Sequence, residues 1–189
     1  ATLDVLDSLV KEGKIRHIGV SNETPWGVSE FIKQAERKQQ TRIISIQNPY
    51  HLLNRRYEQG LTATCYREHV GLLAYSPLAF GRLTGKYVDN AQAKGRLTKF
   101  PATWSPRYMR PEVIATSARY TALARAHGLS PTQLALAWCY SRWFVASTII
   151  GATDLVQLEE NIRATDILLS DELVTAINQI HADGANPAQ

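Results

Sequence analysis

The sequence predicts an α/β fold with a parallel sheet. Four short segments are rich in Ile, Val and Leu and do not alternate strictly with polar residues, which is typical of parallel strands covered on both faces. Helical patterns lie between these segments, and this alternation favours right-handed crossovers. The 189 residues, 44% of them hydrophobic, suit one domain, 1–189, with a buried core. The predicted strands are Ile15–Val20, Ile43–Gln47, Gly71–Tyr75 and Ser147–Ile150.

Local signals bound the helices of the first half of the chain. The first helix ends before Gly13, because glycine readily takes the left-handed conformation that follows a helix. The second begins at Thr24 and Pro25, an N-cap followed by proline at the first helical position. A third helix is predicted over Glu58–His69.

Similar signals bound the helices of the second half. Pro111 opens a helix that extends to about His127, and Ser130-Pro131-Thr132-Gln133 is a capping box that starts the next one. Two more helices follow the fourth strand, one over Asp154–Ile162 and one from Ser170. The stretch Val88–Arg110 is rich in Gly, Pro, Thr and Lys, which predicts either a functional loop or a disordered segment.

Composition argues against several classes of function. The formal charge is +4, but the basic residues are scattered and no nucleic-acid-binding motif accompanies them. No apolar run approaches the length of about 20 residues that a bilayer span needs, so we expect no membrane partner. Cys65 and Cys139 lack metal-binding or redox spacing, which indicates buried thiols in a reducing cytoplasm and no metal site.

Two architectures are compatible with alternating strands and helices. An open dinucleotide-binding sheet normally carries G-x-G-x-x-G after a strand, and this sequence has no such motif. A (β/α) barrel needs eight βα units and about 250 residues. Four predicted strands therefore correspond to about half a barrel.

Polar residues follow the first two predicted strands, at the end where barrel chemistry gathers. Ser21 and Asn22 could pair with an amide-bearing ligand, or they could cap the turn before the next helix. Gln47 lies in an apolar strand, where an unpaired amide costs about 1–3 kcal/mol. Its partner is therefore either a backbone group or a ligand amide. Tyr50 and His51 could line the mouth of a substrate site, although a histidine there is more often an ordinary loop residue.

The third predicted strand is followed by an aromatic ring and by cations. Tyr75 at the strand tip offers a flat ring that can stack on an aromatic ligand. Lys86 and Arg96 could bind a phosphate through charge-assisted hydrogen bonds, or they could be solvated surface cations.

After the fourth predicted strand, Gly151 allows a close backbone approach, and the following helix N-terminus favours an anion. In that helix Gln157, Glu160 and Asn161 share one face. This face could read the polar edge of a base, or it could simply be solvated.

In this order, the motifs resemble those of an NADP-dependent aldo-keto reductase over essentially the whole chain. The resemblance implies the C-terminal half, strands 5–8, of a (β/α)8 TIM barrel. The run Asn22–Val28 is similar to that of the bacterial Tas-like reductases, and the chain is also similar to potassium-channel β-subunits. The resemblance is carried by Leu9–Asn22, Gln47–Tyr50, Tyr75–Leu78, Gly85–Tyr87, Ile150–Ala152 and Gln157–Asn161.

The resemblance also implies an NADP cofactor and the residues that hold it. Ser21, Asn22 and Gln47 would bind the nicotinamide carboxamide, and Tyr75 would stack on the nicotinamide ring. Ser76 and Leu78 would line the pyrophosphate, while Lys86 and Arg96 would contact the pyrophosphate or the adenosine 2′-phosphate. Gly151, Thr153, Gln157, Glu160 and Asn161 would hold the adenosine part. Many members place a Lys near Gly151 and an Arg at Gln157; this chain has neither, so the NADP preference depends on Lys86 and Arg96.

The implied activity is hydride transfer between nicotinamide and an aldehyde or ketone in the cytoplasm. The family's Asp, Tyr, Lys and His lie in the first four strands, so we expect no catalytic residue in this chain, which would be an inactive fragment by itself. The alternative is a non-catalytic NADP(H)-binding regulatory module, as the channel β-subunits suggest. Because a half-barrel has two open edges, we expect it to need the missing N-terminal half-barrel or self-association.

Overall fold

A computed structural model of the protein describes residues 2–100 and 106–189. These residues form a four-stranded sheet, nine α-helices and four short 3₁₀ turns. The strands are β1 (Ile18–Ser21), β2 (Ile43–Pro49), β3 (Gly71–Tyr75) and β4 (Val145–Thr148). The helices are α1 (Thr2–Lys11), α2 (Pro25–Lys38), α3 (Leu61–Arg67), α4 (Lys86–Asp89), α5 (Arg96–Lys99), α6 (Pro111–Ala126), α7 (Pro131–Tyr140), α8 (Leu155–Arg163) and α9 (Asp171–Asp183). The 3₁₀ turns are Arg56–Glu58, Ala79–Thr84, Pro106–Met109 and Ala164–Asp166.

The sheet confirms the predicted α/β class. Its strands are parallel and lie side by side in the order β1-β2-β3-β4. Each strand is therefore followed along the chain by helical segments that return to the same end of the sheet, as parallel pairing requires.

The starts of two strands differ from the prediction, and β2 extends to Pro49, two residues beyond its predicted end. β1 begins at Ile18 because the backbone N–H of Ile15 still bonds the carbonyl of Leu9 at the end of α1, at 3.3 Å. β4 begins at Val145 because this residue is the register partner of Leu72 on β3. Both boundaries depend on where a partner segment lies, which the strand's own sequence does not state.

The helix starts predicted from side-chain caps are confirmed. The Thr24 hydroxyl accepts a hydrogen bond from the Gly27 N–H at the start of α2, and Ser130 accepts one from the Gln133 N–H at the start of α7. The predicted helix over Glu58–His69 is shorter than expected. Gly60 has φ 106°, which separates the turn at Arg56–Glu58 from α3.

The two faces of the sheet differ in burial. Ile46, Leu72 and Ala74 have no exposed surface on the helix-covered face. On the opposite face, Ser21, Gln47 and Ser147 are exposed. The prediction that the strands are covered on both faces is therefore wrong for this chain, and we call the uncovered side the open face.

Two glycines let the strands approach closely on the open face. A Cβ atom added at Gly19 would lie 2.3 Å from the Ser45 Oγ, and one added at Gly71 would lie 2.8 Å from the Ala146 Cβ. Both distances are shorter than a van der Waals contact, so a side chain at either position would force neighbouring atoms apart.

The core lies between the sheet and its helices and includes an aromatic stack. The Trp138 ring stacks on Tyr50 with centroids 4.9 Å apart, and neither residue has exposed surface. The Tyr50 hydroxyl donates to the Glu58 carboxylate at 2.6 Å. Cys65 and Cys139 are buried free thiols, as predicted.

The predicted loop Val88–Arg110 lies only partly within the described residues, since 101–105 are outside them. On either side, α5 and the turn Pro106–Met109 are ordered against the core through Leu97 and Tyr108, which are 2% and 3% exposed. The described parts are therefore folded rather than disordered. None of the helices in the described ranges combines the length and apolarity that crossing a membrane requires.

Candidate functional site

The site begins where the carboxyl ends of β1, β2 and β3 meet at one edge of the sheet. Ser21 is the register partner of Gln47, and Tyr75 is that of Pro49. Because the strands are parallel, the residues that follow them project at the same edge. The structure therefore brings together the polar residues predicted on the first three strands.

Side-chain hydrogen bonds connect these strand ends. The Tyr75 hydroxyl donates to the Asn22 Oδ1 at 2.9 Å, and the Asn22 Nδ2 donates to the Ser21 Oγ at 3.2 Å. The Ser21 hydroxyl in turn donates to the backbone carbonyl of Gln47 at 2.9 Å. We call Ser21, Asn22, Gln47 and Tyr75 the strand-end group.

The backbone of Asn22 has a left-handed conformation, with φ 57°. Its N–H donates to the Gln47 carbonyl at 3.0 Å and to the Asn48 Oδ1 at 2.8 Å. The helix cap that follows is Thr24, so neither Ser21 nor Asn22 caps α2. Neither residue therefore caps this helix, and their pairing with a ligand amide stays a prediction.

Gln47 is exposed on the open face. The expectation of a buried amide is wrong because the neighbouring apolar side chains, such as that of Ile46, point to the helix-covered face. Its carboxamide is therefore accessible beside Ser21, with both a donor and an acceptor to offer.

A tight turn carries the chain away from β3. Ser76, Ala79 and Phe80 all have φ between 48° and 58°, an unusual conformation for residues with a side chain. The N–H of Ala79 bonds the Ser76 carbonyl at 2.8 Å, and the N–H of Gly81 bonds the Leu78 carbonyl at 2.8 Å. Such clusters of left-handed residues occur preferentially at functional sites. The turn holds the backbone next to Tyr75.

The same turn brings Lys86 and Arg96 near each other. The Arg96 guanidinium lies over the Phe80 ring, 5.0 Å from its centroid. The Lys86 ammonium lies 5.1 Å from the Tyr87 ring centroid, and a Cβ atom added at Gly95 would come within 2.5 Å of it. Lys86 is half-buried rather than fully solvated, and Arg96 is exposed.

No carboxylate neutralises these two cations within the described part of the chain. The ion pairs found there involve neither Lys86 nor Arg96. Their charges are therefore available to an anion. A phosphate fits this requirement because it accepts several charge-assisted hydrogen bonds.

The residues predicted around α8 have partners within the protein. The Thr153 hydroxyl donates to the Gln157 Oε1 at 3.2 Å, and the Gln157 side chain donates to Asp154 at 2.7 Å. Asp154 is also the N-cap of α8, because its carboxylate accepts from the Gln157 N–H. Thr153 and Gln157 therefore organise the first turn of the helix and are exposed.

Glu160 and Asn161 fix the junction between β4 and α8. Asn161 is 2% exposed, and its Nδ2 donates to the Gly151 carbonyl at 3.2 Å. The Glu160 carboxylate accepts a hydrogen bond from the Ser130 hydroxyl. The interpretation of a merely solvated face is therefore wrong for these two residues, because their side chains bond to Ser130 and to the Gly151 carbonyl.

The cations and the α8 residues flank the start of α7. A Cβ atom added at Gly85, next to Lys86, would lie 2.9 Å from the Pro131 Cγ, while Ser130 bonds Glu160. The predicted cofactor residues thus lie along one continuous part of the molecule.

Three residues near the site were not assigned a role from the sequence: Asn48, Phe80 and Tyr108. Tyr108 stacks on Phe80 with centroids 4.9 Å apart, and its carbonyl accepts from the Arg82 Nε at 2.8 Å. The only sequence signal was the position of Asn48 inside the Gln47–Tyr50 run. Phe80 and Tyr108 are distant in sequence, so no local pattern relates them.

Tyr50 and His51 do not line an entrance, because neither has exposed surface. The His51 Nε2 lies 3.3 Å from the Tyr108 hydroxyl. Burial lowers the pKa of His51 to about 3 and raises the pKa of Tyr108 to about 12. Both groups are therefore neutral near pH 7.

Two surface depressions are lined by residues outside the strand-end group. One is lined by residues of α1 and α2, including Trp26 and Phe31, and the other lies between Tyr66 and Trp143. Within residues 2–100 and 106–189, no set of three or more His, Cys, Asp and Glu side chains is arranged to hold a metal ion. The candidate site therefore depends on hydrogen bonds, an aromatic ring and two cations.

A sequence model described as the aldo/keto reductase family matches residues 1–182. The chain is 43% identical over 187 residues to the protein Tas of Escherichia coli (strain K12), covering 99% of this chain and 54% of Tas. It is 39% identical over 193 residues to an aldo-keto reductase of Babesia bovis, covering 98% and 67% of the two chains.

A third relative names a cofactor. The chain is 31% identical over 180 residues to the NADH-specific methylglyoxal reductase of Escherichia coli (strain K12), covering 95% of this chain and 52% of that protein. The chain thus spans about half the length of Tas and of this reductase.

Proposed function

This chain belongs to the aldo/keto reductase family, and we propose that it is the C-terminal half, strands 5–8, of the (β/α)8 barrel of an NADPH-dependent reductase that acts on an aldehyde or ketone. Four parallel strands with an open inner face support the half-barrel. The observation that carries the cofactor assignment is the strand-end group, in which exposed polar side chains and one aromatic ring meet beside two unneutralised cations.

The strand-end group fits the nicotinamide carboxamide. The Ser21 hydroxyl donates to the Gln47 carbonyl and accepts from the Asn22 Nδ2, so one lone pair of its oxygen is left to accept from a ligand N–H. The Gln47 carboxamide can both donate and accept, and Asn22 adds a second carboxamide. The half-buried ring of Tyr75 would stack on the nicotinamide. When bound, the nicotinamide would supply or take the hydride.

The remaining residues would hold the rest of the nucleotide. Ser76 and Leu78, in the tight turn, would line the pyrophosphate, and Lys86 and Arg96 would bind the pyrophosphate or the 2′-phosphate. The junction around α8 would hold the adenosine part, with Glu160 and Asn161 shaping it through their bonds to Ser130 and Gly151. The adenosine residues are Gly151, Thr153, Gln157, Glu160 and Asn161. NADP preference depends on Lys86 and Arg96, since the chain has no lysine near Gly151 and a glutamine at position 157. One relative is by name NADH-specific, so the two cofactors have to be compared.

The acid–base chemistry would come from the N-terminal half-barrel. We assign Tyr75, whose hydroxyl donates a hydrogen bond to the Asn22 Oδ1, to stacking and not to proton donation. The chain by itself would bind no carbonyl substrate productively. We place the whole protein in the cytoplasm, since both cysteines here are free buried thiols.

The test is a titration of the full-length protein with NADPH and NADH, followed by intrinsic fluorescence. We expect Lys86→Ala to weaken NADPH about tenfold more than NADH, the difference expected from one charge-assisted contact to the 2′-phosphate. Lys33→Ala is the matched control, because Lys33 is an exposed lysine of α2 that pairs with Glu30.

Each outcome of this titration decides one part of the proposal. Equal losses of affinity for both cofactors would contradict the 2′-phosphate role of Lys86. If the unaltered protein binds neither cofactor, the proposed nucleotide site is wrong. Binding of NADPH without reduction of any aldehyde or ketone would instead identify a regulatory module.

A further inference from the structure

We propose that Asn48 is a positioning residue, whose buried carboxamide holds the Asn22 backbone in the left-handed conformation that directs the Asn22 side chain toward the nicotinamide carboxamide. This inference rests on the proposed function. It assigns a role to a residue that does not itself reach the open face.

The register places Asn48 opposite the point where β1 ends. Ser21, the last residue of β1, is the partner of Gln47, so Asn48 is one residue beyond the paired segment. Asn22 therefore leaves the ladder beside Asn48. The Asn48 Oδ1 accepts the Asn22 N–H at 2.8 Å, a shorter distance than the 3.0 Å to the Gln47 carbonyl that shares this N–H.

This hydrogen bond supports an unusual backbone conformation. Asn22 has φ 57°, which is unfavourable for most residues with a Cβ atom, although asparagine tolerates it better than others. A strained conformation of this kind persists when the surrounding structure fixes it. Asn48 is 9% exposed, so its carboxamide is shielded from water that would compete for the N–H.

The left-handed turn sets the direction of the Asn22 side chain. Its Oδ1 accepts from Tyr75 at 2.9 Å and its Nδ2 donates to Ser21 at 3.2 Å, so the carboxamide joins the two neighbouring strand ends. Without the Asn48 carboxamide, the Asn22 N–H would keep only its longer bond to the Gln47 carbonyl. The loss of this second acceptor would weaken the hold on the left-handed turn, and with it the placement of the Asn22 carboxamide between Ser21 and Tyr75.

A purely structural asparagine would affect all ligands of the fold equally, whereas a positioning residue acts only on the nicotinamide end. The test therefore compares two ligands of the full-length protein by calorimetry: NADP⁺, and 2′-phospho-ADP-ribose, which has the same phosphates and adenosine but no nicotinamide. Asn48→Leu removes the acceptor at similar volume, and Asn48→Asp keeps an acceptor oxygen.

We expect Asn48→Leu to weaken NADP⁺ about tenfold, the effect of one lost hydrogen bond to a fixed group, and to leave 2′-phospho-ADP-ribose unchanged. Asn48→Asp should retain most of the NADP⁺ affinity. In an Asn22→Gly background, where the left-handed turn is free and the carboxamide is gone, Asn48→Leu should have no further effect on NADP⁺.

Circular dichroism and thermal melting establish that each variant is folded. Asn48→Thr replaces Asn48→Leu if the latter does not fold, because threonine suits a strand and its hydroxyl is too short to replace the Oδ1. In a folded variant, an equal loss for both ligands or an unchanged NADP⁺ affinity would overturn this inference alone. If the unaltered protein binds neither ligand, both the proposed function and this inference are wrong.

Discussion

His51 is a titratable residue with no exposed surface, held at both ring nitrogens. Its Nδ1 accepts from the Leu53 N–H at 3.2 Å, so its Nε2 carries the proton and donates to the Tyr108 hydroxyl. Burial, with a contribution from the charge of Arg107, lowers its pKa to about 3. The folded protein therefore keeps this histidine neutral in mildly acidic solution.

This burial predicts a loss of stability in acid. An unfolded histidine titrates near 6.5, so between pH 6.5 and 3 the unfolded chain binds a proton that the folded protein refuses. The free energy of unfolding should fall with decreasing pH in this window, by about 1.4 kcal/mol per pH unit for this residue. In the full-length protein, urea unfolding at pH 7, 6 and 5 should show a flatter dependence for His51→Asn.

His17→Asn is the control for this measurement, because His17 is exposed in the folded protein. It should leave the pH dependence as it is. The same slope in His51→Asn and the unaltered protein would show that another group is responsible. His181, whose pKa burial also lowers, would be the next residue to replace.

At the scale of elements, Ser130 connects the start of α7 to α8. Its hydroxyl accepts a hydrogen bond from the Gln133 N–H at 3.1 Å, and the Gln133 Oε1 accepts one from the Ser130 N–H at 2.9 Å. The same hydroxyl donates to Glu160. One side chain therefore caps a buried helix and fixes a residue expected at the adenosine end of the cofactor.

We predict that Ser130→Ala lowers the free energy of unfolding by about 1–2 kcal/mol, the usual cost of losing an N-cap. It should also weaken NADPH, because Glu160 loses its partner. Ser8→Ala is the control, since Ser8 is an exposed serine within α1 and should change stability by less than about 0.5 kcal/mol. Chemical denaturation of the two full-length variants measures the change in stability, and the fluorescence titration measures NADPH binding. Equal losses of stability in the two variants would contradict the capping role.

Elements bounded by local chemistry were the ones that the sequence predicted well. The side chains of Thr24, Ser130 and Ser170 each accept a hydrogen bond from the backbone N–H three residues ahead. The starts of α2, α7 and α9 are therefore determined by a few adjacent residues. Strand ends depend instead on distant partners. β4 begins at Val145 because Leu72 lies beside it, and that proximity has no local signal.

The sequence predicted which residues gather at the strand ends better than it predicted their burial and contacts. The order of motifs placed Ser21, Gln47 and Tyr75 at strand ends, and parallel pairing brings these ends together. The predicted burial of Gln47 was wrong, because an apolar run does not reveal which face of a strand is covered. The partner of Glu160 was not predictable, because Ser130 is 30 residues away.

At the scale of the whole molecule, the described sheet leaves β1 and β4 as edge strands and one face open. Apolar side chains are exposed near β4: Ile149 is 40% exposed, Leu155 is 81% exposed and Ile162 is 56% exposed. Unpaired strand edges beside exposed apolar surface favour pairing with another chain.

We therefore predict that the 189-residue chain, prepared alone, self-associates. Size-exclusion chromatography with light scattering should find species larger than a monomer, and a dye that binds exposed apolar surface should bind to them. Joining the chain to the proposed N-terminal half-barrel should remove both signals. A monodisperse monomer that melts cooperatively by circular dichroism would contradict the prediction.

The close strand approach at Gly19 and Gly71 limits how this protein could be diversified. A side chain at either position would collide with Ser45 or Ala146, so replacements there are expected to be lost from a randomised library through misfolding. Ser45 packs against Gly19, and Gln47 belongs to the strand-end group, whereas Ser147 is exposed on the open face and takes part in neither. A directed-evolution campaign that seeks new specificity from the inside of the sheet should randomise Ser147 and keep both glycines, Ser45 and Gln47.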